Sequence, residues 1–341
     1  MNENKIRSII ISRTDAIGDV VLTLPMAALI KKILGDDVKV IFFGRTYTYP
    51  VISCCSSVDS FINYDTFEKF DSSGRTNFLN ELNADAIIHV YPRSSVATAA
   101  RNAGIPLRIG TTNRFYHWLT CNKLVRLSRK NSALHEAQLN VKLLRPLGHS
   151  GKISLPEINN LFHLNKIQEL SENISSLLST EKFRLVIHPK SHSSGREWNI
   201  DYYRDLIRFL PDNKFQFIVT GGENEKDFID EWIKKLPSHI VNLAGKLSLE
   251  ELISLLNSCD GIVAASTGPL HIAAALGKYT LGIFPPIRPM NPTRWAPLGN
   301  KAGYLVSQKE CSDCRTIPEK CHCINDVSPQ MAEQFILKWI K

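Results

Sequence analysis

Two series of short apolar runs alternate with stretches of helical period along the chain, and this alternation constrains the fold more than any other feature. The first series is IRSIIIS (6–12), VKVIFFG (38–44), ADAIIHVY (84–91) and PLRIG (106–110). The second is FRLVIHP (183–189), KFQFIVTGG (214–222), DGIVAAS (260–266) and YTLGIFPP (279–286). Runs that are apolar at nearly every position, rather than at every second one, belong to strands buried on both faces, as in parallel sheets covered by helices. Helical segments fall between them at 19–33, 135–147, near 164–179, at 247–259 and from Gly268 onward. Strand and helix alternating in this way predict α/β architecture. At 341 residues the chain is long enough for two domains.

The break between the two series is read from composition. GHSGKISLPEIN (148–159) is rich in Gly, Ser and Pro and has no apolar period. The expected organisation is a first domain over 1–150, a linker over 151–163, a second domain over 164–327 and a terminal helix over 328–341, which in such folds often packs back on the first domain. Two similar halves imply two Rossmann-like domains facing each other across a cleft. Pro25, inside the segment 19–33, predicts a kink or a late helix start.

Charge is unevenly distributed. Residues 1–150 hold 19 Lys+Arg against 12 Asp+Glu, a net +7, of a total of +8. Within 86–150 there are ten basic residues and one acid, Glu136. Such a segment is either a solvated face or a surface that collects anionic groups. No zinc-finger, RNP or helix-turn-helix pattern accompanies it, so nucleic acid is not the expected partner. No stretch approaches the roughly 18 apolar residues of a membrane span. The N-terminus reads as a strand, not a signal peptide, so a cytoplasmic protein is expected.

Four segments carry candidate chemistry. RTDAIGDVV (13–21) leaves a strand and enters a helix through Gly18, with Asp19 close to the helix start; the carboxylate is either a cap or faces a ligand. Asp15 is its rival. AASTGPLHIAAALG (264–277) leads from a strand end through Ser266, Thr267 and Gly268 into a helix begun by Pro269, with His271 one turn in. This is either an ordinary capped helix or a diphosphate cradle. It is neither G-x-G-x-x-G nor a Walker loop, which argues against dehydrogenases and P-loop NTPases. HPKSHSSGREWNIDYY (188–203) offers Lys190, Ser191 and Arg196 to phosphates. GGENEKDF (221–228) offers Glu225 to ribose hydroxyls. The last three fall at strand ends of one half, where open α/β sheets bind ligands.

Taken together, RTDAIGDVVLTLP, GREWNIDYY, GGENE, LSLEELISLL and STGPLHIAAALG, in that order, resemble glycosyltransferase family 9, the heptosyltransferases of lipopolysaccharide core assembly. The resemblance implies a GT-B fold. It also implies inverting, metal-independent transfer, with the first domain binding the acceptor and the second an ADP-sugar such as ADP-heptose. By position it implies Asp19 as the catalytic aspartate. Lys190, Ser191, Arg196, Glu225, Leu247, Ser266, Thr267, Gly268 and His271 fall on the nucleotide-sugar site. Ser266 stands where the family usually has aspartate. Acidic core sugars of the acceptor would meet Arg93, Arg101, Arg108, Arg114, Lys123 and Arg126. The enzyme would work at the cytoplasmic face of the inner membrane, in peripheral contact with it.

Cys54, Cys55, Cys121 and Cys259 lie in apolar surroundings and are expected in the core. Cys311, Cys314, Cys321 and Cys323 have the ligand count of a structural zinc site, although Cys-x-Cys is unusual spacing for zinc. Reduced surface thiols and a disulfide are the alternatives.

Overall fold

The computed structural model describes residues 5–129, 132–191, 195–237, 240–308 and 322–340. The chain divides into two compact units, Met1–Lys166 and Ile167–Lys341.

The first unit is built on a parallel sheet of β1 (Ser8–Ser12), β2 (Lys39–Gly44), β3 (Ser60–Asn63), β4 (Ala86–His89), β5 (Leu107–Thr111) and β6 (Lys123–Val125), in the order β3-β2-β1-β4-β5-β6. Its register sets Ile10 between Ile41 and Ile87, and Ser12 between Phe43 and His89. On this face Ile10, Ile41, Phe43 and Ile87 pack with Phe67, Leu79 and Val96 of the covering helices. Phe43 and Phe67 meet edge to face at 5.3 Å.

The second unit repeats the plan with β7 (Phe183–His188), β8 (Phe215–Val219), β9 (Val241–Asn242), β10 (Gly261–Ala265), β11 (Tyr279–Phe284) and β12 (Ala302–Val306), ordered β12-β11-β10-β7-β8-β9. Read from the other edge, this is the same Rossmann-like order. Trp198, Tyr203, Phe215 and Phe217 fill its core.

Three sequence readings change. Residues 151–163 are packed into the first unit: Ser154 and Glu157 form a capping box on the helix Leu155–Asn159, and Ile158 and Phe162 are buried. The backbone of Cys55 bridges to Leu164, so the boundary falls after Lys166. Burial of Ile158 and Phe162 outweighs the Gly and Ser content. Second, the helix over 135–147 is α-helical only at Glu136–Val141 and continues as a 3-10 helix at Lys142–Leu147, which contains Pro146. Third, the terminal helix Pro329–Ile336 buries Ala332 and Ile336 in the core of the second unit, and Trp339 stacks on Tyr279 at 5.3 Å. The late helix start at Pro25 is observed: Ile17–Val21 and Pro25–Leu34 are separate helices. No helix among the described residues is long and apolar enough to cross a membrane.

Candidate functional site

In each sheet the chain switches direction at the first strand of the unit, between β1 and β4 and between β7 and β10. The crevice outside the carboxyl ends of these strands is where such sheets hold ligands.

At the first switch point, β1 is followed by Arg13, Thr14 and Asp15. The helix Ile17–Val21 then begins from Ala16, placing Asp19 inside the first turn rather than at its start. Arg13 is buried, and its guanidinium is spread among three carboxylates. Nε lies 2.6 Å from Asp15 Oδ1, Nη1 lies 3.1 Å from Glu136 Oε1, and Nη2 pairs with Asp19. Burial alone would disfavour its charge, but Asp19, Asp15 and Glu136 outweigh that cost and raise its pKa further above the usual arginine value. Glu136 is fully buried and also takes Arg129 Nε at 2.8 Å. Asn140 accepts from both arginines and donates to Thr23 Oγ1 at 3.1 Å, and Thr23 in turn donates to the Asp19 carbonyl at 2.8 Å. Asp19 is thus braced through both its side chain and its backbone, and remains 20% exposed.

The basic residues of 86–150 divide by position. Arg93 is at the switch point, donating to Thr14 Oγ1 at 2.6 Å and lying over the Tyr64 ring at 4.5 Å. Arg114 precedes the helix Phe115–Thr120 and Arg126 follows β6, so both stand beyond carboxyl ends. Arg101 ends the helix Ser94–Asn102 that returns from β4 to the start of β5, and Lys123 begins β6, so both lie toward the opposite edge. Arg108 turns its guanidinium onto the Thr120 and Ile105 carbonyls. The six arginine and lysine candidates therefore do not form one patch.

At the second switch point, Lys190 Nζ lies 2.5 Å from Glu197 Oε2 and 4.7 Å from the Phe228 ring centroid. Glu197 also accepts from the Ser191 N–H at 3.0 Å, pinning the loop after β7. Gly195 comes so close to the end of β10 that a Cβ there would lie 2.8 Å from the Ser266 carbonyl oxygen. The two segments are thereby brought side by side, with Arg196 half-buried and Trp198 anchored through its indole N–H to the Val327 carbonyl at 2.8 Å. Beyond β10, Thr267 is the N-cap of the helix Gly268–Ala275, yet its side chain makes no capping hydrogen bond. Its hydroxyl is buried and has no hydrogen-bond partner among the described residues. A helix start leaves its first backbone N–H groups without partners inside the helix, and so is suited to an anion. His271 is buried one turn further on.

One strand outward, Glu225 bends back so that its Oε2 accepts from the Gly222 N–H at 2.7 Å. Leu247 follows β9, half-buried. The nine second-unit candidates line the carboxyl edge of adjacent strands β9, β8, β7 and β10.

Cys54, Cys55, Cys121 and Cys259 are buried. Cys311, Cys314 and Cys321 lie outside the described residues, while Cys323 is buried at the start of a 3-10 turn. Among the described residues no group of three His, Cys, Asp or Glu side chains is arranged so that it could hold a metal ion.

Residues 76–325 match the model of glycosyltransferase family 9 (heptosyltransferase). The chain belongs to glycosyltransferase family 9. It is 25% identical, over 87% of its length and 88% of the relative's, to a Haemophilus influenzae protein whose name goes no further than glycosyltransferase. Its fold is that of the family 9 glycosyl transferase of Veillonella parvula, at a TM-score of 0.80, 17% identity and 99% coverage of both chains. The ADP-heptose lipopolysaccharide heptosyltransferase II of E. coli superposes at 0.74, with 19% identity and 98% coverage of both. The protein is accordingly a glycosyltransferase with the GT-B pair of Rossmann-like domains.

For this family 9 enzyme the sequence reading does not single out Arg13, Arg129, Asn140 or Glu197 as site residues. One signal was present: Glu136 is the lone acid of a basic segment. A buried acid of that kind needs a cationic partner.

Proposed function

We propose that the enzyme transfers heptose from ADP-heptose to an acidic inner-core sugar of lipopolysaccharide, with inversion and without a catalytic metal. The observation that carries this reading is the uncapped helix start at Thr267–Gly268, whose buried hydroxyl has no hydrogen-bond partner among the described residues, with the loop of Gly195 and Arg196 packed against neighbouring Ser266. Such a start suits a diphosphate in charge and in hydrogen-bond donors.

In the reaction, an acceptor hydroxyl oxygen forms a bond to the anomeric carbon while the bond from that carbon to the diphosphate breaks. The diphosphate leaves with the electron pair, and Lys190, Arg196 and the helix N–H groups stabilise the charge that develops. Asp19 takes the acceptor's proton. Arg13 holds that carboxylate oriented, and Arg93 meets an acidic group of the acceptor. Glu225 receives the ribose hydroxyls, Leu247 lies beside the base, and Ser191, Ser266 and His271 complete the donor site. The acceptor's lipid places the work at the cytoplasmic face of the inner membrane.

Ser266, where family members usually carry aspartate, favours a second reading in which the sugar of the donor differs. Product analysis with ADP-heptose, other ADP-sugars and UDP-sugars tests both. Turnover of ADP-heptose supports the first, turnover of another sugar nucleotide alone supports the second, and turnover of none sinks both.

A further inference from the structure

Phe115, Trp118 and Leu119 are 81%, 59% and 60% exposed. They stand at i, i+3 and i+4 of the helix Phe115–Thr120, so they share one side of it. The opposite side is seated: His117 is buried and its Nδ1 accepts from the Thr111 N–H at 2.9 Å, and Thr120 is buried as well. The Trp118 indole donates to the Thr112 carbonyl at 3.1 Å, which fixes the ring on the outer surface. Single exposed apolar residues are ordinary, whereas three held outward together mark a contact surface.

Charge indicates what that surface meets. Arg114 is exposed immediately before the helix. Arg126, also exposed, is brought alongside because the Thr112 N–H donates to the Val125 carbonyl at 3.1 Å and the Asn113 amide donates to the Leu127 carbonyl. Residues 86–135 contain no Asp or Glu. A short helix with Phe, Trp and Leu on its outer side and arginines at its border has the composition of an element lying in a membrane interface.

We propose that this helix docks the enzyme on an anionic lipid bilayer, with Phe115, Trp118 and Leu119 entering the headgroup–acyl boundary and Arg114 and Arg126 meeting lipid phosphates. The proposal deepens the reading of a membrane-borne acceptor and rests on it for its purpose, though its test is independent.

Full-length protein is sedimented with vesicles of phosphatidylcholine alone and of phosphatidylcholine with phosphatidylglycerol. The wild type should bind the anionic vesicles, bind the neutral ones far less, and be released by salt. The triple variant Phe115→Ser, Trp118→Ser, Leu119→Ser should stay in the supernatant, with its circular dichroism and ADP affinity unchanged. Arg114→Gln and Arg126→Gln should each weaken partitioning about fivefold. Absence of wild-type binding, or equal binding by the triple variant, overturns the surface. A wild-type dimer that the triple variant dissolves, with vesicle binding unaltered, also overturns it, since the occupant is then a second copy. If the vesicles are bound but ADP is not, the donor reading fails and the surface stands.

Discussion

Arg13 Nη1 donates to Glu136 Oε1 at 3.1 Å across 123 positions of sequence. The contact ties the loop that carries Asp19 to the helix Glu136–Val141, and Arg129 closes it from the other side at 2.8 Å. Glu136 lacks solvent exposure and is linked to Asp19 through Arg13, so it acts as a positioning residue. Glu136→Gln should cost about 3 kcal/mol of stability, the scale of breaking a buried ion pair. It should also lower kcat while leaving ADP affinity intact. Urea titration with calorimetry checks both. An undisturbed kcat would mean that Asp19 is held adequately by its own turn of helix.

Asp19→Asn should nearly abolish transfer, while the fold and nucleotide binding persist, because the amide keeps the shape and loses the base. Steady-state turnover together with ADP calorimetry makes the comparison. Turnover close to wild type would move the role to Asp15, which shares Arg13 at 2.6 Å.

On the donor side, Arg196→Ala and Thr267→Ala should each weaken ADP. A lost charge-assisted hydrogen bond is worth roughly 1.5–3 kcal/mol, a tenfold to hundredfold loss for the arginine, and the neutral hydroxyl should cost less. Unchanged affinity in both variants would remove the Thr267–Gly268 helix start as the phosphate site.

Arg93→Ala should raise the acceptor KM and spare donor affinity, since its guanidinium lies beside Thr14 in the first unit. The same kinetic split in Arg101→Ala, which sits at the far end of its helix, would detach the effect from the switch point.

Two buried histidines make stability fall with acid. Burial, aided by His117 and Arg108, lowers the pKa of His89 to about 3, and burial lowers that of His188 to about 4. In the unfolded chain both titrate near the ordinary value of about 6.5. The unfolded state therefore binds more protons below that pH, and stability is lost as pH falls from there toward the folded values. At pH 5 each histidine should cost about 2 kcal/mol relative to pH 8. Urea midpoints at the two pH values should show a loss about 2 kcal/mol smaller in His89→Gln than in the wild type. Equal losses would clear His89 of any part in the acid response.

The central strands were legible in the chain because each is covered on both faces, and so nearly every residue of Ser8–Ser12, Lys39–Gly44, Ala86–His89 and Gly261–Ala265 is apolar or small. The loops carrying the Asp19, Lys190, Glu225 and Thr267 segments were legible for a related reason: they follow the inner strands β1, β7, β8 and β10. The strands that escaped notice are the four sheet edges, β3, β6, β9 and β12, which are short or half-exposed and so lack a strong apolar signature. Tertiary structure alone decided which distant groups meet. Glu136 finds Arg13 only when the sheet closes, Gly195 finds Ser266 only because β7 and β10 are neighbours, and Arg108 turns inward while Arg93 reaches the switch point. Local sequence sets periodicity and turns, whereas these pairings depend on strand order and register, which no single segment encodes.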